Sequence, residues 1–136
     1  MYRVLVAYDG SEPSERALEM VSRMVVNDAD MEVILVHVVL LFSSGAAATG
    51  IDTVLLDDIS PIQDKLQSIA SSLTSNARIK ILRGSSPADL IVRCAIEEEC
   101  DLIIMGSRGR GGVKGYLGSV SYAVVKDSPI SVLIAK

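Results

Sequence analysis

The sequence predicts a single α/β domain, residues 1–136, built on one open five-stranded parallel sheet with helices on both faces. Three observations carry this expectation. Short runs of Val, Ile, Leu and Ala alternate with segments whose apolar residues recur at helical spacing, and such alternation yields a parallel sheet joined by right-handed crossovers. The strand-like runs are apolar almost throughout, as strands covered on both faces are. Aromatic residues are scarce, with one Phe, four Tyr and no Trp, so the core must be aliphatic and β-branched. A chain of 136 residues is long enough to bury such a core.

Taken in order, Tyr2 to Tyr8 reads as a buried strand that ends in the turn Asp9-Gly10-Ser11. Ser11 suits an N-cap, and Glu12, Pro13 and Glu15 suit a first helical turn. Ala17, Leu18, Val21, Met24 and Val25 then form one helical stripe. Val33 to Val39 is the second strand, apolar apart from His37, and Ser43 to Gly50 reads as a loose stretch of small residues. Ile62, Leu66, Ile69 and Leu73 mark the second helix. Ile79 and Ile81 alternate with Arg78, Lys80 and Arg83, the pattern of a half-exposed edge strand. Ser86-Pro87-Ala88-Asp89 opens the third helix, whose buried face is Leu90, Ile91, Cys94 and Ala95. Leu102 to Met105 is the fourth strand; a glycine loop follows, then a helix around Val120 to Val125. Ser128-Pro129 stops that helix, and Ile130 to Ala135 is the last strand. Ligands of open parallel sheets sit beyond the C-terminal strand ends, where the strand order reverses. The ends Ala7-Tyr8-Asp9, His37-Val38-Val39 and Met105-Gly106 carry residues suited to a site.

The net charge of −4 argues against general binding to nucleic acid or an anionic membrane. Val33 to Ile51 lacks formal charge, but His37, Ser43, Ser44, Gly45, Thr49 and Gly50 interrupt it, leaving about ten continuous apolar residues where a span needs ~20. Asp9, Glu12 and Glu15 break the N-terminal region before any apolar stretch of signal length, so a cytoplasmic protein without a membrane span is expected. Cys94 and Cys100 make no disulfide framework and read as reduced, buried thiols.

From Gly106 to Ser119 the chain carries six of its ten glycines, with Arg108, Arg110 and Lys114 among them. Glycine lets backbone N–H groups approach a ligand, and a helix start adds unpaired N–H groups with partial positive charge. Strand, glycine loop and helix together make a phosphate cradle. Neither common phosphate motif is present: no Gly-x-x-x-x-Gly-Lys-Ser/Thr occurs, and Lys114 fills the third position of a Gly-x-Gly-x-x-Gly begun by Gly109 and Gly111. Simpler readings stand beside the functional ones. The glycines can serve tight turning, Arg108 and Arg110 a solvated loop, Asp9 a cap and Met105 core filling. His37, with no second histidine in the chain, reads as a structural histidine.

Several of these motifs resemble those of the universal stress protein family, across nearly the whole chain. They are Asp9-Gly10-Ser11, Val36-His37-Val38, Gly84 to Pro87, Met105-Gly106-Ser107-Arg108-Gly109, Gly118-Ser119 and Pro129 to Ala135. The nucleotide-binding branch of that family carries Gly-x2-Gly-x9-Gly-Ser/Thr; here eight residues, not nine, separate Gly109 from Gly118. Gly84-Ser85-Ser86-Pro87 has one residue more than the family's Gly-x-Pro. The resemblance implies the strand order 3-2-1-4-5 and an adenine nucleotide, ATP, ADP or AMP, with Mg²⁺ held through its phosphates. It also implies roles for individual residues. Asp9 would bind the ribose; Ala7, Val38 and Met105 would form the adenine slot, with the Val38 backbone reading the base edge. Gly106, Gly109, Gly118, Ser119 and Ser121 would hold phosphates through N–H and hydroxyl groups, Val120 would join the nucleotide site, and Arg108, Arg110 and Lys114 would add charge. A homodimer through Ile130–Ala135 is implied as well, since an apolar edge strand with unpaired groups invites a second copy. Asp9 alone supplies no acidic pair for metal-assisted phosphoryl transfer, so a nucleotide-dependent regulatory module is expected. The alternatives are a slow adenine-nucleotide hydrolase or phosphotransferase, and a nucleotide-free stress protein acting through partners. A receiver-like domain would need clustered acidic residues at the first strand's end and a late-strand Lys, of which only Asp9 is present.

Overall fold

Strand and helix alternate along the whole chain: β1 (Arg3–Ala7), α1 (Glu12–Asn27), β2 (Glu32–Leu40), α2 (Ala48–Leu73), β3 (Ala77–Gly84), α3 (Pro87–Glu97), β4 (Leu102–Gly106), α4 (Ser119–Asp127) and β5 (Ser131–Ala135). The computed structural model describes residues 2–41, 48–109 and 117–136, with 48–58 described as backbone only. The sheet order is β3-β2-β1-β4-β5, and every pairing is parallel. The order 3-2-1-4-5 expected from the resemblance is therefore present. The chain reverses direction across the sheet between β1 and β4, which splays the connections after these strands apart and opens a crevice at their C-terminal ends.

Period-two alternation sends the sheet's side chains to two cores. Val4, Val6, Val33, Leu35 and Ile104 pack with Ala17, Leu18, Val21 and Val25 of α1 and Leu66 of α2. Leu5, Ile34, Val36, Ile103 and Met105 pack on the other face with Ile91, Cys94 and Ala95 of α3 and Val124 of α4. Val4, Leu5 and Val6 have no exposed surface at all, which explains why β1 is central and uninterrupted by polar residues. Each such burial is worth about 1.5–3 kcal/mol, against about 0–1 kcal/mol for a surface ion pair. The apolar runs therefore set the fold. β3 lies at one edge with Arg78 exposed and Ile79 and Ile81 half-buried, as its alternation predicts.

Charges gather at the opposite end of the sheet from the crevice. Arg3 pairs with Glu32 and donates to the Glu98 carbonyl. Arg78 and Lys80 both reach the Glu98 carboxylate, Lys80 at 2.8 Å. Hydrogen bonds from Arg78 and then Lys80 hold the Glu98 carboxyl down at about 2. α3 ends in two tight C-terminal hydrogen bonds, Glu99 N–H to Ile96 O and Cys100 N–H to Ala95 O, with Glu99 in the left-handed region at φ 55°. Cys94 and Cys100 are both buried and unpaired. Burial raises the pKa of Cys94 and pushes that of Cys100 up to about 11, so neither is a ready thiolate.

Some boundaries differ from the sequence expectations. Of the stretch read as loose, Ser43–Ala47 lies outside the described residues, whereas Ala48–Gly50 opens α2. That helix runs 26 residues through Pro61 and packs along β2 and β3. β2 reaches from Glu32 to Leu40, longer at both ends than expected, because β1 pairs with it from Arg3↔Glu32 and β3 as far as Leu40↔Gly84. β5 starts at Ser131, not Ile130: the Ser128 hydroxyl accepts the Ile130 N–H at 3.0 Å and keeps that residue in the entry turn. Among the described residues no helix is long and apolar enough to cross a membrane.

Candidate functional site

The site is built where β1 stops. Beyond Ala7 the chain turns at Gly10, whose φ of 83° suits glycine. Asp9 Oδ1 accepts the Ser11 N–H at 2.9 Å and fixes that turn. Ser11 Oγ then accepts the Ser14 N–H at 3.3 Å, while the Ser14 hydroxyl donates to the Ser11 carbonyl at 2.8 Å. These bonds satisfy the N-terminal groups of α1. The Tyr8 hydroxyl donates to Glu15 at 2.6 Å, and burial followed by the Glu15 hydrogen bond raises the tyrosine's pKa. The strand end is thus tied to the helix that follows it.

Two glycines bring β4 and its loop against this turn. A Cβ on Gly106 would lie 2.6 Å from Pro13 Cβ and 2.9 Å from the Ser14 nitrogen, so the missing side chain seats α1 on the end of β4. A Cβ on Gly109 would lie 2.9 Å from Asp9 Oδ2. One Asp9 oxygen therefore holds the turn while the other faces Gly109. The capping and ligand-facing readings of Asp9 are geometrically compatible.

Ser107 joins the loop to the last strand. Its N–H donates to Ala135 O at 2.8 Å, and its carbonyl accepts from the Gly118 N–H at 2.7 Å. The Ser121 hydroxyl, buried, donates to that same carbonyl at 2.7 Å. Both ends of the glycine segment are thereby clasped together. Gly118 is the N-cap of α4, and no side chain caps that helix, so its first turn presents N–H groups and the positive end of the helix dipole. The Gly118 amide and Ser121 hydroxyl, read from the resemblance as phosphate donors, already donate within the protein. Arg110, Lys114, Gly111, Gly112 and Gly115 lie outside the described residues.

These elements enclose a cavity of about 430 Å³. All eleven residues singled out from the sequence line it. Ala7, Asp9 and Val38 come from the ends of β1 and β2, Met105 and Gly106 from β4, and Arg108 and Gly109 from the loop. Gly118, Ser119, Val120 and Ser121 come from the start of α4. Val36, Leu40, Pro87 and Ile91 complete an apolar end, and Ser11 and Ser14 add to a polar end. Sequence reasoning passed over those six. Val36 and Leu40 share the Val38 face by strand alternation, and Ile91 stands one helical turn after Pro87, so period alone would have flagged three of them. Asp9 is the single carboxylate among the described lining residues. No group of three or more metal-ligating side chains occurs among the described residues.

Comparison with known proteins matches a model of the universal stress protein family over residues 1–136. The universal stress protein of Thermus aquaticus encoded in the QAH/OAS sulfhydrylase 3′ region is 31% identical over 135 residues, covering 98% of this chain and 97% of its own. Universal stress protein MJ0577 of Methanocaldococcus jannaschii is 31% identical over 156 residues, covering 100% and 96%. A solved structure of MJ0577 aligns with a TM-score of 0.80 at 29% identity, over 99% of this chain and 95% of that one. A universal stress protein solved in complex with cAMP aligns with a TM-score of 0.73 at 26% identity, over 99% and 97%.

Proposed function

The chain belongs to the universal stress protein family, and on that premise we propose that it is a cytoplasmic regulatory module that binds an adenine nucleotide, ATP or alternatively ADP or AMP. The observation that carries this reading is the convergence of the eleven residues on one cavity at the sheet's reversal point. Its volume, about 430 Å³, falls within the range of small-molecule sites. The apolar end, with Ala7, Val38 and Met105, suits a purine ring. Asp9 lines the cavity, and its carboxylate suits ribose hydroxyls, which donate to such a group. Phosphates fall to the Gly109 segment, the uncapped start of α4 at Ser119 and Val120, and Arg108. With one lining carboxylate, Mg²⁺ would be carried by the phosphates and water. The cAMP complex of a family member supports an adenine nucleotide as the ligand class.

The same reading includes a homodimer through the last strand. β5 is the open edge of the sheet, with Leu133 and Ala135 on the α1 side and Val132 and Ile134 on the α3–α4 side. It carries no charge before Lys136, so its unpaired edge can pair with a second copy.

The test is mass spectrometry of small molecules released from the denatured protein, followed by calorimetric titration with ATP and Mg²⁺. A resident adenine nucleotide and a saturable titration are expected; neither appearing refutes the assignment. Many ATP molecules hydrolysed per protein chain would replace the regulatory module with a hydrolase. Asp9→Ala should weaken ATP by about 1–3 kcal/mol, the cost of a lost charged hydrogen-bond partner, and an unchanged Kd would return Asp9 to capping alone.

A further inference from the structure

The β1–β2 ladder stops one rung short at its end, where a side chain contacts the carbonyl that the next rung would use. Along β2 the even-numbered residues turn their peptide groups toward β1: Glu32 N–H donates to Tyr2 O, and Val36 O accepts the Tyr8 N–H at 2.8 Å. The odd-numbered ones turn toward β3, as Val33 N–H to Asn76 O and Leu41 N–H to Gly84 O illustrate. The next rung on the β1 side would run from the Val38 N–H to the Tyr8 carbonyl. Among the described residues that rung is not made. Instead His37 Nδ1 lies 2.9 Å from Tyr8 O. A carbonyl only accepts, so Nδ1 carries the hydrogen and donates it.

β3 meanwhile pairs with β2 through Val38↔Leu82, Val39↔Arg83 and Leu40↔Gly84, holding the extended strand in place after β1 has turned away. The Val38 N–H and C=O therefore face the space β1 has vacated, which is the apolar end of the cavity. One donor and one acceptor on a single rigid residue match the ring nitrogen N1 and the exocyclic amine of adenine. They do not match hypoxanthine in the same pose, where N1 carries a hydrogen and the amine is an oxygen.

We infer that His37 is a positioning residue for base recognition: by satisfying the Tyr8 carbonyl in place of the Val38 N–H it removes the driving force for the next rung and leaves the Val38 peptide groups free to select adenine. This rests on the nucleotide reading above, and it gives that reading a specificity determinant that never touches the ligand. His37→Leu removes the donor, so the Tyr8 carbonyl captures the Val38 N–H. In His37→Asn the amide Nδ2 takes the place of Nδ1 and restores the wild-type arrangement.

Two measurements separate the inference from its premise. Amide hydrogen exchange of Val38, followed by NMR in the nucleotide-free protein, is expected to be fast in the wild type. It should be slowed at least roughly tenfold in His37→Leu and fast again in His37→Asn. Titration with ATP and inosine triphosphate is expected to show a wild-type preference for ATP that shrinks roughly tenfold in His37→Leu and returns in His37→Asn. A purely packing role would move neither the Val38 exchange rate nor the ratio of the two affinities. A Val38 amide already protected in the wild type, or unchanged in His37→Leu, overturns the inference whatever the ligand. If the exchange results hold and neither triphosphate binds the wild type, the nucleotide reading falls and base recognition falls with it. If the exchange results hold and the ATP preference is the same in all three proteins, His37 shapes the ladder without setting specificity, and the inference is refuted.

Discussion

Gly106→Ala tests how the site is assembled more sharply than any change to a contact residue. The added Cβ would stand 2.6 Å from Pro13 Cβ, 2.8 Å from the Pro13 carbonyl carbon and 2.9 Å from the Ser14 nitrogen. All three distances are below ordinary contact, and two of the atoms are backbone. Gly106 has no left-handed φ, so sterics alone set the cost. Relief requires lifting the first turn of α1, an overpacking strain that typically costs about 1–3 kcal/mol. With an unfolding entropy of about 2.1 cal/mol/K per residue over 136 residues, that converts to a melting temperature lower by roughly 4–10 °C. Gly84→Ala is the matched control. Its Cβ would approach Leu90 Cδ1 at 2.9 Å, but that methyl ends a rotatable side chain, so a change within about 1 kcal/mol is expected. Scanning calorimetry of both variants decides. If Gly106→Ala melts within a degree or two of the wild type, α1 is not wedged against β4 and the geometry assigned to Asp9, Ser11 and Ser14 is wrong.

Gly109→Val places a branched side chain against Asp9 Oδ2, a movable group, so circular dichroism should stay native while ATP binding is lost. Retained binding by calorimetry would reduce this glycine to chain turning. Glu98, held down at about 2 against a reference of 4.5, stabilises the fold fully above its unfolded pKa and loses that contribution as pH falls through about 2. Urea titrations should therefore find Glu98→Gln less stable near neutrality, with the gap to wild type closing in acid; a gap independent of pH would deny the Arg78–Glu98–Lys80 cluster that role. Val132→Pro removes a backbone donor from β5 and should shift the dimer toward monomer at micromolar concentration by light scattering, with native circular dichroism. A wild type that scatters as a monomer ends the dimer proposal outright.

Much of the architecture is legible in the sequence. Val4-Leu5-Val6 and Leu102 to Met105 are apolar at every position because strands covered on both faces have no solvent side to mark with polar residues. β3 alternates because it is an edge. Helix starts at Ser11 and Pro87 were visible because capping is local chemistry. The start of α2 was not: Ala48-Thr49-Gly50 has neither cap nor stripe, and small residues with weak propensity reveal little until tertiary packing holds a helix in place.

The sequence, through the family resemblance, also named eleven of the residues that line the cavity, while Ser11, Ser14, Val36, Leu40, Pro87 and Ile91 emerged only with the fold. What each does there was decided only by the tertiary structure. Gly106 lines the cavity, and its absent side chain also admits Pro13. Gly118 and Ser121 looked like phosphate donors, and both donate to the Ser107 carbonyl. His37 reads from the sequence as a structural histidine, and its Nδ1 lies 2.9 Å from the Tyr8 carbonyl. Spacing along a chain reports which groups share a face or a turn. It carries no record of which distant partner a given donor will find, because hydrogen bonds are fixed by angstrom-scale geometry that exists only after the layers have packed.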